Sequence, residues 1–541
     1  MTSVASTTIF PTPDMVPEKY RISFPMEQRH YLCNGVLREW TGPRQEVLSP
    51  IFQRHGATVS PTVLGSYPLL TKKQALATLA AAAKAYDHGR GEWPAMTGAQ
   101  RCRRIAAFAE RLEEKRADIV KLLMWEVGKS KSEAEKEFDR TILYMRDTLA
   151  AMADLERASS RLVKERGVLA QIRRVPLGVV LCMGPFNYPL NESFATLIPA
   201  LIMGNSVIFK PPKLGVLLHH LLLEAYRDCF PAGVINTVYG EGQEVISPLL
   251  QSAHIDVLAF IGSSRVATTL KKQHPKPHRL RSILGMEAKN AAIVLKDADL
   301  QQAVDECLSG SLTYNGQRCT ALKILFVHDD LLDDFLGRFC RAVEQLPCGM
   351  PWDEGVQITP LPEPNKVEYL KGLLDDACAK GARIINRAGG SIDHSLMTPA
   401  VVYPVQPDMR LYSEEQFGPI VAISPFSTTE QVIEYVTLSD YGQQVSIFGR
   451  DTELLAELVT PLANQVCRVN INSQCQRGPD SLPFTGRKDS AEGTLSVTDA
   501  LQAFSISTIV AARENAENKR LLPAVMTREP GRSHTGPESS S

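Results

Sequence analysis

The sequence predicts an α/β fold of two domains, each built around a parallel sheet. The chain has 541 residues, which is more than one hydrophobic core usually supports. From about residue 165, short buried-strand patterns alternate with helical stretches such as residues 217–229. The alternation starts again at about residue 290 and continues to about residue 470. Alternating strands and helices indicate βαβ units, and their recurrence indicates two such domains.

The elements follow from local periodicity. Residues 71–155 are predicted to be helical, because Ile105, Phe108, Ala109 and Leu112 have the i, i+3, i+4, i+7 spacing of a core-facing stripe. Residues 1–60 are expected to be an irregular leader, and residues 512–541 a disordered tail that is too polar to offset its ordering entropy. Buried strands are predicted at residues 175–182, 206–209, 234–238, 257–261, 292–295, 324–327 and 466–471.

Composition excludes several kinds of partner. The formal net charge is −1, so there is no electrostatic reason to expect nucleic acid or a membrane surface as partner. The apolar stretch at residues 177–183 is too short to span a bilayer. Eleven cysteines are scattered without a CxxC pair, which favours reduced thiols in the cytoplasm. No histidine or cysteine spacing predicts a metal site.

One cysteine has the local surroundings of a nucleophile. Cys319 follows a glycine-containing turn and lies next to Arg318. Nearby positive charge and backbone amides are expected to lower the pKa of its thiol. A lone cysteine is more often a small buried hydrophobic residue, so this segment alone is weak evidence.

A second segment provides a candidate for stabilising an oxyanion. Asn187 follows a predicted buried strand, and its side-chain amide is able to donate a hydrogen bond to a developing negative charge. The alternative is a turn asparagine between Pro185 and Pro189.

Five segments together resemble the successive signatures of the aldehyde dehydrogenase superfamily, in its order and at its spacing, over roughly residues 30–510. They are Pro185-Phe186-Asn187-Tyr188-Pro189, Gly204-Asn205-Ser206-Val207-Ile208-Phe209-Lys210-Pro211, Phe260-Ile261-Gly262-Ser263, Gly316-Gln317-Arg318-Cys319 and Glu415-Gln416-Phe417-Gly418-Pro419. The resemblance implies that Cys319 attacks an aldehyde carbonyl and that Asn187 and the Cys319 N–H hold the oxyanion. Hydride transfer to a nicotinamide would then leave a thioester.

The resemblance also implies a division into domains. Residues 61–286 would form a Rossmann-like NAD(P)-binding domain, and residues 287–475 an α/β catalytic domain. Residues 476–511 would return to the cofactor domain. Residues 160–174 and 500–511 would form a small β oligomerisation element, so a homodimer or homotetramer is expected.

The cofactor is expected to be NADP, with NAD as the alternative. Lys210 matches the family lysine that contacts the adenosine ribose. Three residues later, where NAD-preferring members often have glutamate, this chain has Lys213, which would attract a 2′-phosphate. The other expected cofactor-binding residues are Phe186, Gly242, Gly262, Ser263, Glu415 and Phe417, with the Gly262–Ser263 helix start facing the pyrophosphate.

The expected substrate is a small phosphorylated or otherwise anionic aldehyde. Arg140, Arg318 and Arg477, together with Tyr188, resemble the substrate residues of the non-phosphorylating glyceraldehyde-3-phosphate dehydrogenases. Three converging arginines are suited to binding a phosphate.

One family feature is missing. When the chain is aligned on Lys289, Gly285 occupies the position of the general-base glutamate. Glu287 is a candidate substitute, although two residues along a strand displace it by about 6.6 Å. Glu415 or a water chain is another way to activate hydrolysis.

Two further functions remain open because of Gly285. The thioester could pass to coenzyme A, as in acylating semialdehyde dehydrogenases, which resemble this chain at Glu287-Ala288-Lys289-Asn290. A catalytically impaired paralogue that acts as a binding or assembly protein is the third alternative.

Overall fold

Two large sheets form the centre of the molecule, and the computed structural model describes residues 8–23 and 25–526. The strands in these residues are β1 (Met26–Glu27), β2 (His30–Cys33), β3 (Val36–Glu39), β4 (Arg44–His55), β5 (Thr58–Pro68), β6 (Leu162–Glu165), β7 (Val168–Pro176), β8 (Val179–Met183), β9 (Ser206–Lys210), β10 (Ile235–Thr237), β11 (Val257–Ile261), β12 (Arg281–Gly285), β13 (Asn290–Val294), β14 (Leu322–His328), β15 (Arg383–Ile384), β16 (Ile392–Asp393), β17 (Leu396–Met397), β18 (Ala400–Tyr403), β19 (Ile420–Phe426), β20 (Tyr441–Gly442), β21 (Gln444–Phe448), β22 (Arg468–Ile471), β23 (Arg487–Lys488), β24 (Ala491–Glu492) and β25 (Ser505–Arg513).

Helices surround these sheets. The α-helices in the same residues are α1 (Lys72–Tyr86), α2 (Glu92–Ala95), α3 (Gly98–Glu113), α4 (Arg116–Val127), α5 (Lys131–Ser159), α6 (Asn191–Ile202), α7 (Leu217–His220), α8 (Leu223–Cys229), α9 (Gly242–Val245), α10 (Ser247–Gln251), α11 (Ser264–Gln273), α12 (Leu300–Leu312), α13 (Leu332–Glu344), α14 (Lys366–Ala379), α15 (Arg410–Ser413), α16 (Thr429–Leu438), α17 (Thr452–Ala463), α18 (Val497–Ala503) and α19 (Ala516–Met526). No helix of the described ranges is both long enough and apolar enough to cross a membrane.

Both predicted parallel sheets are present. The first has the strand order β10-β9-β8-β11-β12-β24, and only β24 is antiparallel to its neighbour. The second has the order β15-β18-β19-β14-β13-β21-β22, and only β15 is antiparallel. Strands β8 and β9 are almost wholly buried, as expected of central strands covered by helices on both faces.

The predicted helical region packs on the first sheet. Ile105, Phe108, Ala109 and Leu112 are buried on one side of α3, so the predicted stripe is confirmed. The helix begins with a capping box in which Thr97 and Gln100 satisfy each other's backbone N–H groups.

The prediction of an irregular leader over residues 1–60 is wrong for most of the described part. Strands β4 and β5 form a long antiparallel hairpin, and β1 extends it. The register is interrupted between Leu48 and Phe52, so Pro50 falls where the ladder needs no regular N–H donor. Because Pro50 and Pro61 interrupt the alternating pattern typical of a strand, the sequence pattern alone did not predict this hairpin.

Three other local predictions need correction. The strand predicted over residues 175–182 is two strands separated at Gly178, where a Cβ atom would lie 1.9 Å from Asp256 Oδ2. The helix predicted over residues 217–229 is the pair α7 and α8. The tail predicted over residues 512–541 includes the end of β25 and helix α19, in which Leu522 is buried; its remainder, residues 527–541, lies outside the described residues.

The predicted oligomerisation segments pair with each other. Strands β25, β7 and β6 form a separate antiparallel sheet, with Ile509 opposite Ile172. Residues 500–503 belong to α18 and not to this sheet.

Candidate active site

A large cavity lies at the carboxyl ends of the first sheet. Strands β8, β9, β11 and β12 each lead into cavity-lining residues, as expected for the ligand site of an open parallel sheet. Its volume is about 1490 Å³. Ligand pockets usually measure about 300–1,000 Å³, so this cavity has room for a dinucleotide as well as a small substrate.

The nucleophile turn, residues 313–319, leads from α12 to Cys319. Tyr314, Asn315 and Gly316 all have positive φ, at 51°, 55° and 71°. A Cβ atom at Gly316 would lie 2.7 Å from Ser311 O, so glycine is required there. The Asn315 amide exchanges hydrogen bonds with the backbone of Thr359, which holds the unusual backbone in place.

The oxyanion loop, residues 184–191, reaches the nucleophile turn. Asn187 is buried, and its Nδ2 donates to Gln317 O at 2.9 Å. Asn290 Nδ2 donates to Cys319 O at 2.8 Å from the opposite side. The structure therefore brings together the two residues that were predicted to perform the chemistry.

The electrostatic prediction for Cys319 is wrong in its net direction. Burial and the charge of Glu415 raise the pKa of the Cys319 thiol, although Gln443, Lys323 and Arg318 act to lower it. Arg318 has the smallest of these influences, and its Nη2 donates to the carbonyls of Ser309 and Gly310.

The two candidate substitutes for the missing base are engaged elsewhere. Glu287 Oε2 accepts a hydrogen bond from Ser264 N at 2.7 Å, so this carboxylate caps α11 and is not directed at Cys319. The proposed base role of Glu287 therefore has no support in the geometry, because the displacement along the chain carries it to the helix N-terminus. Glu415 accepts from Ala288 N at 3.3 Å and lies 3.6 Å from Lys323 Nζ.

Gly285 itself leaves room for a side chain. It ends β12 opposite Ile261, and a Cβ atom would meet Ile261 carbons at 3.4 and 3.5 Å, an ordinary contact distance. Glycine is therefore not required by packing at this position.

The predicted cofactor residues surround the inner part of the cavity with one exception. Phe186 and Phe417 contact edge to face at 5.9 Å, and Ser263 caps α11 by accepting from Val266 N. Gly242 begins α9 and is not a lining residue; its neighbour Glu241 lines the cavity instead.

Two lysines on the cofactor side differ in their environment. Lys210 is 8% exposed, and burial together with Lys213 lowers the pKa of its ammonium group to about 8. No carboxylate of the described residues forms an ion pair with Lys210. Lys213 pairs with Glu241 at 2.9 Å, and both side chains are more than half exposed. A third lysine, Lys366, also lines the cavity, but it lies outside the matched motifs and sequence reasoning missed it.

The predicted substrate residues, Arg140, Tyr188, Arg318 and Arg477, all line the cavity. The arginines already have partners, however, which the sequence did not indicate. Arg140 makes a bidentate ion pair with Asp480, at 2.7 and 3.0 Å. Arg477 is buried between Glu192 and Asp480, and its guanidinium lies over the Phe484 ring. Asp480 lies three residues after Arg477 in the sequence, and its negative charge was the signal that could have indicated the pairing.

The profile of the aldehyde dehydrogenase family matches residues 53–510. The chain belongs to this family. An aldehyde dehydrogenase fold and an oxidoreductase activity follow from this membership, and both agree with the sequence-based expectation.

Two individual members of the family are similar in sequence to this chain. The NADP-dependent glyceraldehyde-3-phosphate dehydrogenase of Streptococcus equinus is 32% identical over 480 residues, covering 87% of this aldehyde dehydrogenase and 96% of the relative. That of Arabidopsis thaliana is 35% identical over 329 residues, which cover 61% of this chain and 64% of the plant protein.

A solved structure shows the same architecture. The NADP-dependent glyceraldehyde-3-phosphate dehydrogenase of Bacillus halodurans C-125, complexed with NADP, superimposes with a TM-score of 0.82 at 32% identity. The superposition covers 90% of this chain and 99% of that chain.

Proposed function

We propose that this aldehyde dehydrogenase oxidises a small phosphorylated or otherwise anionic aldehyde, represented by glyceraldehyde 3-phosphate, with NADP as cofactor. The observation that carries the proposal is the convergence of Cys319, the Asn187 amide and three arginines on one cavity. The relatives described above are named for oxidation of glyceraldehyde 3-phosphate with NADP, and this supports the proposal independently of the cavity.

The chain's own residues define the first half of the reaction. The Cys319 thiol gives its proton to solvent water, and its sulfur bonds to the aldehyde carbon while the carbonyl π electrons move to oxygen. Asn187 Nδ2 then donates to that oxyanion in place of its present bond to Gln317 O. A donor of this kind contributes about 10²–10³ in rate.

The inner cavity fits a dinucleotide. Lys210 is a buried cation with no ion-pair partner among the described residues, and the N-terminus of α11 offers backbone N–H groups to an anion. Glu287 has to leave Ser264 N for a pyrophosphate to bind there, because two anions cannot share that donor. A dinucleotide held by Lys210 and the N-terminus of α11 would supply the hydride acceptor, so that one aldehyde, one NADP and one water would give one carboxylate, one NADPH and two protons.

We propose hydrolysis as the second half of the reaction, with transfer to coenzyme A as the alternative. Gly285 is the observation that favours the alternative, because no carboxylate occupies the position of the family's base. The arginines favour hydrolysis, because they resemble the substrate residues of the non-phosphorylating glyceraldehyde-3-phosphate dehydrogenases. Because Glu287 is bound to Ser264 N and Glu415 to Ala288 N and Lys323, hydrolysis of the thioester is expected to limit steady-state turnover.

The test uses the purified enzyme with glyceraldehyde 3-phosphate and NADP in a stopped-flow experiment, with and without coenzyme A. A burst of one NADPH per active site, followed by slower steady turnover without coenzyme A, is expected. If steady NADPH formation follows the burst only when coenzyme A is added, the second half of the reaction is acyl transfer and not hydrolysis. The absence of any burst, with Cys319→Ser as the blank, would overturn the choice of substrate.

We further propose a cytoplasmic homodimer or homotetramer with the domain division described above. All eleven cysteines are free, as suits a reducing compartment. The separate sheet β25-β7-β6 presents Ile509, 62% exposed, and other apolar side chains for a second copy to cover.

A further inference from the structure

A buried ion pair lies behind the oxyanion loop. Lys129, between α4 and α5, and Glu137, on α5, have fully buried side chains, and Lys129 Nζ lies 2.6 Å from Glu137 Oε2. Taking two charges out of water is costly, and apolar replacements of such pairs are often equally stable. The pair is therefore poorly explained by stability alone.

Glu137 uses its other oxygen to hold the oxyanion loop. Oε1 accepts from Leu190 N at 3.0 Å and from Asn191 N at 3.1 Å. These amides lie where the loop ends and α6 begins, where a helix favours negative charge. One carboxylate therefore anchors both Lys129 and the loop that carries Asn187.

Lys129 connects this loop to the nucleophile turn. Its Nζ lies 3.4 Å from the centroid of the Tyr188 ring and 4.5 Å from that of Tyr314. Tyr188 follows Asn187, and Tyr314 is one of the positive-φ residues of the turn that precedes Cys319. The Tyr314 hydroxyl is fixed in addition by Val127 O at 2.9 Å. A cation between two rings is attracted to both faces, most strongly when it is desolvated.

We propose that Lys129 is a positioning residue that fixes the oxyanion loop against the nucleophile turn, so that Asn187 and Cys319 address the same carbonyl group. This inference rests on the proposed roles of those two residues. Lys129 touches neither of them; it acts through Glu137 and through the rings of Tyr188 and Tyr314.

A double-mutant cycle tests the inference. Lys129→Met is expected to slow the NADPH burst with glyceraldehyde 3-phosphate about 10²-fold, as if an oxyanion donor were lost. The Kd for NADP should change by less than about twofold, because Lys129 does not line the cavity and its loss should affect only the transition state. On an Asn187→Ala background, Lys129→Met should slow the burst by less than about twofold, because the partner through which it acts is gone.

A matched control separates positioning from general destabilisation. Arg101→Met removes another buried cation, one that binds the carbonyls of Ile202 and Met96. It should lower the melting temperature and leave the burst rate unchanged. Should Lys129→Met fail to fold, Glu137→Gln replaces it, since it keeps the side-chain shape while removing the charge. A wild-type burst rate in Lys129→Met, or in Glu137→Gln where that variant replaces it, would overturn the proposal. So would a double variant with Asn187→Ala whose burst is slowed by the product of the two single effects.

A second readout needs no activity. Amide hydrogen exchange of Leu190 and Asn191 should accelerate at least about tenfold in Lys129→Met and stay unchanged in Arg101→Met, because Glu137 loses the cation that holds it. If the wild-type enzyme shows no burst with any aldehyde, the proposed function has failed, and exchange still decides the positioning role. Unchanged exchange in Lys129→Met would then refute the positioning role of Lys129 by itself.

Discussion

The reactivity of Cys319 is set by residues that are far from it in the sequence. Glu415 raises the pKa of the thiol, and Lys323, which lies 3.6 Å from Glu415, lowers it. Lys323 also holds the nucleophile turn by donating to Gly316 O at 2.8 Å. Burial adds to the effect of Glu415, and Arg318 adds to that of Lys323, so removing either the Glu415 or the Lys323 charge should change the fraction of thiolate.

Charge substitutions should move the labelling rate of Cys319 in opposite directions. Because a raised pKa reduces the thiolate fraction at pH 7, removal of an anion should accelerate alkylation by iodoacetamide and removal of a cation should slow it. Glu415→Gln is expected to be faster by about 3- to 10-fold and Lys323→Met slower by a similar factor. Peptide mass spectrometry distinguishes Cys319 from the other thiols, and changes of the same sign in both variants would contradict the electrostatic explanation.

Gly285 supplies the second prediction for a single residue. A Cβ atom there would touch only Ile261, at ordinary contact distances, and Gly285 lines the cavity into which a longer side chain would extend. Gly285→Glu should therefore restore a base and raise steady-state turnover without coenzyme A by about tenfold or more. Gly285→Gln is the control of equal shape. If both variants turn over equally fast, the carboxylate is not what the site lacks.

Motifs predicted the members of the site better than their interactions. Cys319, Asn187, Arg140 and Arg477 line one cavity as expected. The sequence did not show that Arg140 forms an ion pair with Asp480, because this pair depends on the path of the loop after β22. The direction of the Cys319 pKa shift was likewise out of reach, since Glu415 is close only in the folded chain.

At the scale of secondary structure, the N-terminus of helix α11, the proposed pyrophosphate site, already binds a carboxylate of the chain. Its N-terminal N–H of Ser264 is occupied by Glu287, although a pyrophosphate is expected there. Glu287 therefore has to be displaced when a dinucleotide binds, and this displacement opposes binding.

Glu287→Gln should consequently tighten cofactor binding. A charge at a helix terminus is worth about 0.3–1 kcal/mol, so the Kd for NADP should fall about 2- to 5-fold. Titration calorimetry measures the change. Glu492→Gln, which removes an exposed partner of Lys271 on nearby β24, is the control and should leave the Kd unchanged. Weaker binding by Glu287→Gln would show that the carboxylate assists the cofactor instead.

Periodicity predicted the central elements well and the outer ones poorly. Strands such as β9 and β11 are continuous apolar runs with no competing interpretation. The β4–β5 hairpin contains Pro50 and Pro61, and helix α19 contains Pro523, so local rules argued against both. Packing against the rest of the chain decides such segments, and a pattern within a few residues does not contain that information.

At the scale of the whole molecule, residues that follow strands of both large sheets line one cavity. The small sheet β25-β7-β6 instead exposes apolar side chains at the surface. The sheet β25-β7-β6 ends at β25, whose outer ladder of backbone groups is unpaired within the described part of the chain. Such an edge, with exposed apolar side chains beside it, favours association with a second copy.

A charge on this edge should separate the subunits. Ile509→Asp places a carboxylate on a 62% exposed apolar position of β25, where a subunit contact would have to desolvate it. Sedimentation velocity should show the wild-type enzyme as a dimer or larger and the variant as a smaller species. Leu438→Asp makes the same substitution at a 73% exposed leucine that ends α16, outside this sheet, and should keep the wild-type size. Because Ile509 does not line the cavity, the Ile509→Asp enzyme should still give a full NADPH burst. A monomeric wild type would remove the proposed role of the sheet.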